Sequence, residues 1–275
     1  MKTQLKTQNL SIFESAIYRT TSTLFHNEDL TLLVDPNWLP IEIKHIQQQV
    51  NSLKNNGPLH LLFTHSDYDH IIAWRAFDNT KTIASKAFVE STGKEKQIQD
   101  ILDFDDKHYI TRDYPIEYPI IDQVVSENGQ QISFGSTKLT FYHAPGHNND
   151  GIFTIIEPYG TWIAGDYLSN VEFPFIYDSS TAYLQTIETM ELILQKHDIK
   201  LLIPGHGDAT ADIMEIKQRM ADSKNYILEL RDSIENETSF NQKKWVEHYP
   251  FPKFTLEAHL NNVALIRKEF GKELA

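Results

Sequence analysis

Four times in this chain a short apolar run stops at a turn that carries histidine or aspartate, and this recurrence constrains the fold more than any other feature. Leu59-His60-Leu61-Leu62-Phe63 leads into Thr64-His65-Ser66-Asp67-Tyr68-Asp69-His70. A run ending at Tyr142 leads into Ala144-Pro145-Gly146-His147, Ile163-Ala164 into Gly165-Asp166, and Ile203 into Pro204-Gly205-His206-Gly207. In each turn a small or turn-forming residue lets the backbone bend and present a polar side chain at a strand end. In an extended segment residues two apart point the same way, so His65, Asp67 and Asp69 are expected to converge. His70 then sits where the chain turns toward Ile71-Ile72-Ala73-Trp74. So many potential ligands in so few residues suits two ions held side by side.

The rest of the pattern supplies a scaffold. Leu30 to Val34 reads as a strand that stops at Asp35-Pro36, and Pro40 opens a helix through Ile41, His45, Gln48 and Leu53, where its missing N–H costs little. Ile132-Ser133-Phe134 and Lys138 to Tyr142 alternate with period two about Gly135-Ser136, as a hairpin does. Ile152 to Ile156 and Thr161 to Ala164 form a second hairpin across Pro158-Tyr159-Gly160. Tyr183, Ile187, Met190 and Leu194 recur at helical spacing, and Leu201 to Ile203 is a short strand. Residues 93–118 are polar and read as an insertion or lid. From Ala211 the chain reads as helical, with Leu256, Leu260, Val263, Ile266 and Phe270 as its last apolar stripe. Strands first, then strands mixed with helices, then helices indicate two packed sheets with helices outside them.

Composition narrows the function. The 275 residues contain no cysteine, so any metal site must be built from His, Asp and Glu. A formal net charge of −13 disfavours binding to a phosphate backbone, so no nucleic-acid partner is expected. No apolar stretch is long enough to span a bilayer and the polar start leads into no signal core, so no membrane partner and a cytoplasmic location are expected. The substrate is expected to be a small molecule; the oligomeric state is not legible.

Taken together, His65, Asp67, Asp69 and His70, then His147, then Asp166, then His206 resemble the metallo-β-lactamase superfamily. Its pattern is H-x-H-x-D-H, a histidine after glycine, a Gly-Asp, and a last histidine in a P-G-H-like turn. The four blocks occur here in order over residues 64–207, and Asp35-Pro36 matches the strand end that commonly precedes them. The resemblance implies an α+β fold, a four-layer αββα sandwich over residues 1–210, with residues 211–275 as a C-terminal helical extension packed on it. It implies one metal on His65, Asp67 and His147, a second on Asp69, His70 and His206, and Asp166 bridging them, with Asp69 also expected to be catalytic. Asp67 stands where the family has its second histidine. Zinc is the first expectation; a carboxylate there is a harder ligand than imidazole, so iron and manganese are the alternatives. The absence of cysteine excludes the members that use a thiolate ligand.

The implied chemistry is hydrolysis of an ester, thioester, lactone, amide or phosphoester by hydroxide generated between two ions about 3.5–4 Å apart. The competing class is a di-iron redox or oxygen-binding protein, because flavodiiron proteins are similar in fold and carry an acidic residue at the Asp67 position. A metal-bearing but idle binding module is the third. Weighed singly, Asp67 could hold a neighbouring ligand by hydrogen bonding, and Asp166 could cap a helix. His143, Tyr167 and His259 read as structural, and Lys243-Lys244 and Arg267-Lys268 as solvated surface.

Overall fold

The computed structural model describes residues 1–53, 57–247 and 249–272; residues 273–275 of the expected C-terminal extension lie outside them. Twelve strands are described, in two sheets. The first sheet orders β1 (Lys2–Lys6), β2 (Leu10–Glu14), β3 (Thr21–His26), β4 (Thr31–Val34), β5 (Leu59–Leu62), β6 (Thr80–Ser85) and β7 (Gln123–Val125) as neighbours. Its first four strands form an antiparallel meander, and β4 to β7 run parallel. The second sheet orders β12 (Leu201–Ile203), β11 (Thr161–Ile163), β10 (Ile152–Glu157), β9 (Thr137–His143) and β8 (Gln131–Phe134). Both expected hairpins are present, and β12 pairs parallel to β11.

Alternation along the strands divides the interior into three apolar layers. Leu32 and Val34 of β4, Leu62 of β5, and Ile152 and Ile156 of β10 meet between the sheets. Leu33, Leu61 and Phe63 face the other way, against Trp38, Ile43 and Ile46 of the segment leading through α1 (Pro40–Ser52) and Ile101 of α4 (Lys94–Lys107). Phe153, Ile155 and Trp162 on the outer face of the second sheet pack on α5 (Ser180–Lys196), α6 (Ile213–Glu235) and α8 (Pro252–Glu269). Strands buried on both faces read as continuous apolar runs, which is why they stand out in the sequence. The result is the four-layer αββα sandwich with C-terminal helices. Among the described residues no helix is long and apolar enough to cross a membrane.

Two local expectations are corrected. The segment Asp67 to Asp69 is not extended: α2 (Tyr68–Ile71) begins directly after Asp67, and the His70 N–H donates to the Asp67 carbonyl at 2.9 Å. Asp69 and His70 therefore reach the site from a helical turn, not by strand alternation. Within the polar stretch read as an insertion or lid, residues 94–107 form the regular helix α4, whose first turns border the cleft over the polar turns and which is anchored by buried Ile101 and by Phe104 against Trp38 at 4.4 Å between ring centroids. The last helix turns inward only the later part of its apolar stripe: Ile266 is buried, and Val263 and Phe270 pack on the same core. Leu256 and Leu260 are exposed at 43% and 56%, whereas Thr255, His259 and Asn262 are buried. The polar side chains face inward because they find partners there: Tyr226 hydroxyl donates to His259 Nδ1 at 3.0 Å and accepts from Asn262 Nδ2 at 2.9 Å. Satisfied hydrogen bonds outweigh the burial of two leucines, which a hydrophobic stripe alone does not register.

This helix orientation yields a paired prediction for urea denaturation. Leu260→Ser should change stability by no more than about 0.5 kcal/mol. Ile266→Ala, on the buried face, should cost about 2–5 kcal/mol. A large loss from Leu260→Ser would show that α8 packs on its leucines.

Candidate metal centre

The polar turns meet at one end of the sandwich. His65 follows β5, His147 follows β9, Asp166 follows β11 and His206 follows β12. Asp166 sits among the four imidazoles: its Oδ2 lies 3.5 Å from His65 Nε2, 3.3 Å from His147 Nε2 and 3.2 Å from His206 Nε2, and its Oδ1 lies 3.1 Å from His70 Nε2. Asp67 Oδ2 is 3.0 Å from His147 Nε2 and 3.6 Å from His65 Nε2. Asp69 Oδ2 is 3.4 Å from His206 Nε2 and 3.5 Å from His70 Nε2. The ligand-capable atoms thus fall into two groups, His65, Asp67, His147 and Asp166 in one, Asp69, His70 and His206 in the other. All seven residues singled out in the sequence are brought together.

Each histidine presents the same nitrogen, because its other nitrogen is engaged. His147 Nδ1 donates to the Phe175 carbonyl at 2.9 Å, and His206 Nδ1 to the Tyr18 carbonyl at 2.9 Å. His70 Nδ1 donates to Asp35 Oδ2 at 2.9 Å. Thr64 Oγ1 donates to the same carboxylate oxygen at 2.6 Å, which leaves its lone pairs to accept from His65 Nδ1 at 2.9 Å. A ring whose Nδ1 carries the proton has an unprotonated Nε2, and all four Nε2 atoms point inward. His65 Nε2, His70 Nε2 and Asp166 Oδ1 are buried without any hydrogen-bond partner. Nitrogen and carboxylate lone pairs buried face to face fit a cation between them, so the residues present suit a metal pair. In the protein-only site, burial disfavours both charged forms, but Asp166 draws the rings of His70, His147 and His206 toward protonation, and the imidazoliums of His206, His70 and His65 in turn hold the Asp166 carboxyl well below the usual carboxylate range; a bound cation would take the place of those ring protons.

Two glycines admit this crowding. A Cβ on Gly205 would lie 2.2 Å from Asp166 Oδ1, and one on Gly146, whose φ is +123°, would lie 2.4 Å from the Tyr183 backbone. Tyr167, read as a packing residue, is buried; its hydroxyl accepts from the His147 N–H at 2.9 Å and so steadies that turn. His143 is half-buried and His259 stays within the C-terminal helices, neither reaching the ring cluster. Lys244 pairs with Glu229 at 2.6 Å. Asp166 caps no helix.

Residues outside the seven ligand candidates also shape the centre. Asp35 is more than the end of β4: it orients His70 directly and His65 through Thr64, and takes the Thr64 N–H at 2.9 Å. Its place before the first histidine turn is visible in the sequence, but its target is not. Asn262 of α8 donates to the Pro174 carbonyl at 2.7 Å and accepts from the Ile176 N–H at 2.9 Å, bracketing Phe175, the residue that holds His147. Glu172, near His206 Nδ1 at 4.0 Å, lines a cleft of about 630 Å³ that opens over the cluster. Burial pushes its carboxyl up to about 7 against the pull of His206. Nothing in Val171-Glu172-Phe173 marks it.

The Asp35 linkage predicts that Asp35→Ala weakens metal binding about 10–100-fold, as losses of ligand-orienting partners do. Competition with a chromophoric chelator measures this, and wild-type affinity in the variant would show that Asp35 does not orient the rings.

Comparison with known proteins agrees with this geometry. The family model described as the metallo-beta-lactamase superfamily matches residues 17–206. No curated protein sequence matches the chain. Among solved structures, a metallo-beta-lactamase family protein from Thermus thermophilus superposes with a TM-score of 0.66 at 14% identity, over 96% of this chain and 95% of that one. The stereoselective inverting sec-alkylsulfatase from Pseudomonas sp. gives 0.70 at 11% identity over 97% of this chain, which spans 50% of the sulfatase. The rubredoxin oxygen:oxidoreductase of Desulfovibrio gigas gives 0.55 at 14% identity, over 83% of this chain and 62% of that one. Similarity at such identities establishes the fold alone. With the family model spanning well over half of the sequence, the chain belongs to the metallo-beta-lactamase superfamily.

Proposed function

We propose that this protein is a dinuclear metal-dependent hydrolase of a small ester, thioester or lactone. The observation that carries the reading is the inward convergence of four Nδ1-anchored imidazoles on the Asp166 carboxylate. His65, Asp67, His147 and Asp166 would hold one cation; Asp69, His70 and His206 would hold the other, with Asp166 Oδ1 turned toward His70. Bound cations supply Lewis acidity and make water nucleophilic near neutral pH. Zinc suits the imidazole donors, and the Asp67 carboxylate raises the claim of iron or manganese.

The protein's own residues supply the rest. Asp69 lines the cleft, and its Oδ1, the oxygen not turned to the His70 and His206 rings, takes the proton of the attacking water. Asp67 is held from behind, its Oδ1 accepting from Asn148 Nδ2 at 3.0 Å, so Oδ2 stays on the His147 side. Addition of water across the acyl bond releases a carboxylic acid and an alcohol or thiol. Among the described residues lining the cleft, Lys96 is the one lysine or arginine, and it pairs with Asp100 at 2.5 Å. A phosphoester or sulfate ester would find no free cationic side chain there, so an acyl substrate is favoured.

The di-iron reading draws on Asp67, a hard ligand in a set otherwise rich in imidazole. Metal analysis with activity assays separates the two. The hydrolase reading expects about two metal ions per chain and turnover of aryl esters or thioesters that chelation abolishes. Visible iron absorption in aerobically purified protein, with no hydrolysis of either substrate class, would support the redox reading instead. Asp67→Ala should lower metal content toward one ion per chain; unchanged content would show that Asp67 does not ligate.

A further inference from the structure

The cleft has a feature that the cation cluster does not use. Glu172 lies at its edge with a side chain only 12% exposed, and no described residue donates a hydrogen bond to its carboxylate. The nearest basic atom, His206 Nδ1 at 4.0 Å, is committed to the Tyr18 carbonyl. A desolvated carboxylate without a donor is costly to maintain, and a donor delivered by a ligand would relieve that cost. The same cleft carries an aromatic wall, and its Tyr18 holds, through the backbone carbonyl, the His206 ring that Glu172 approaches. Tyr18 stacks on Phe254 with centroids 5.3 Å apart and planes at 21°, and Phe254 meets Phe175 edge-on at 5.5 Å. All three rings line the cleft, as does Asp178, an exposed carboxylate.

The three carboxylates of the metal cluster would be matched by the cations they hold, and Lys96 is matched by Asp100. Glu172 and Asp178 have no such match within the cleft, on a chain whose net charge is already −13. Aromatic faces next to carboxylates attract an organic cation through the ring quadrupole and direct Coulombic interaction, and repel an anion. We infer that the Glu172 end of the cleft, walled by Tyr18, Phe254 and Phe175, is a subsite for a positively charged ammonium group of the substrate. That the ammonium compound is a substrate rests on the hydrolase reading, but the subsite itself is a binding property that stands without turnover.

The test compares three thioesters in zinc-loaded protein at pH 8, where Glu172 is ionised, and at low, constant ionic strength: acetylthiocholine, its uncharged 3,3-dimethylbutyl isostere, and a carboxylate-bearing analogue of similar length. Expected kcat/KM falls in that order, with the cationic ester about tenfold above its isostere and the difference carried by KM. Glu172→Gln should bring the cation-to-isostere ratio close to one, and Phe254→Leu should reduce it about threefold. An equal or better rate with the neutral or anionic ester, or a ratio unchanged in Glu172→Gln, overturns the inference. Should none of the thioesters be hydrolysed, the hydrolase reading fails, and choline binding by calorimetry judges the subsite alone. Saturable binding weakened in Glu172→Gln sustains it; no binding, or binding indifferent to that change, overturns it.

Discussion

The centre depends on where four imidazole protons are kept. Each ring commits its Nδ1–H to an oxygen outside the cluster, whether the Phe175 or Tyr18 carbonyl, the Asp35 carboxylate or the Thr64 hydroxyl. That fixes both the tautomer and the ring plane, and obliges every Nε2 lone pair to point at the same small volume. Without those anchors the histidines and aspartates would pair with one another as ordinary ion pairs. With them, the Nε2 atoms confront carboxylate oxygens across gaps of 3.0–3.6 Å, an arrangement unfavourable unless protons or a metal cation share the space.

The anchors come from all over the chain, which ties the chemistry to the sandwich. Asp35 ends β4 and reaches both histidines of the first turn because β4 and β5 are parallel neighbours, with Val34 opposite Leu62. Tyr18 belongs to the connection between β2 and β3. Phe175 lies in the segment that Asn262 brackets from the last helix. The C-terminal helices therefore do more than cover the second sheet: the inward polar face of α8 holds the loop that orients His147. Loss of a hydrogen bond there would be felt at the cluster through one carbonyl.

Crowding and openness are balanced on opposite sides of the same residues. Behind Asp166 the packing is so tight that Gly205 leaves no room for a Cβ, which keeps the carboxylate at the centre of the rings. In front, Asp67, Asp69, His147 and His206 border the cleft, so the cluster remains accessible from one side. The cleft wall is shared between the first half, through Tyr18 and the start of α4, and the second, through Phe175, Tyr177 and Phe254. A ligand in the cleft would thus meet both halves of the sandwich and the C-terminal segment.

The order of residues alone settles the strand ends and the side chains gathered there. Buried strands need continuous apolar runs, turns need glycine or proline, and His and Asp collected at four such ends suit little besides a metal centre. It also determined the absence of thiolate ligands. Folding set how the group is oriented: that Asp69 and His70 arrive on a helical turn, that Asp35 and Thr64 direct the first pair of rings, and that Glu172 faces the cleft. It likewise turned α8 so that His259 and Asn262 face inward while Leu256 and Leu260 face water. The reason is the range of the interactions. Periodicity and turn chemistry act between neighbours in the chain. A polar side chain's direction is set instead by partners that folding brings from far along it, as between Asp35 and His70 or Tyr18 and His206.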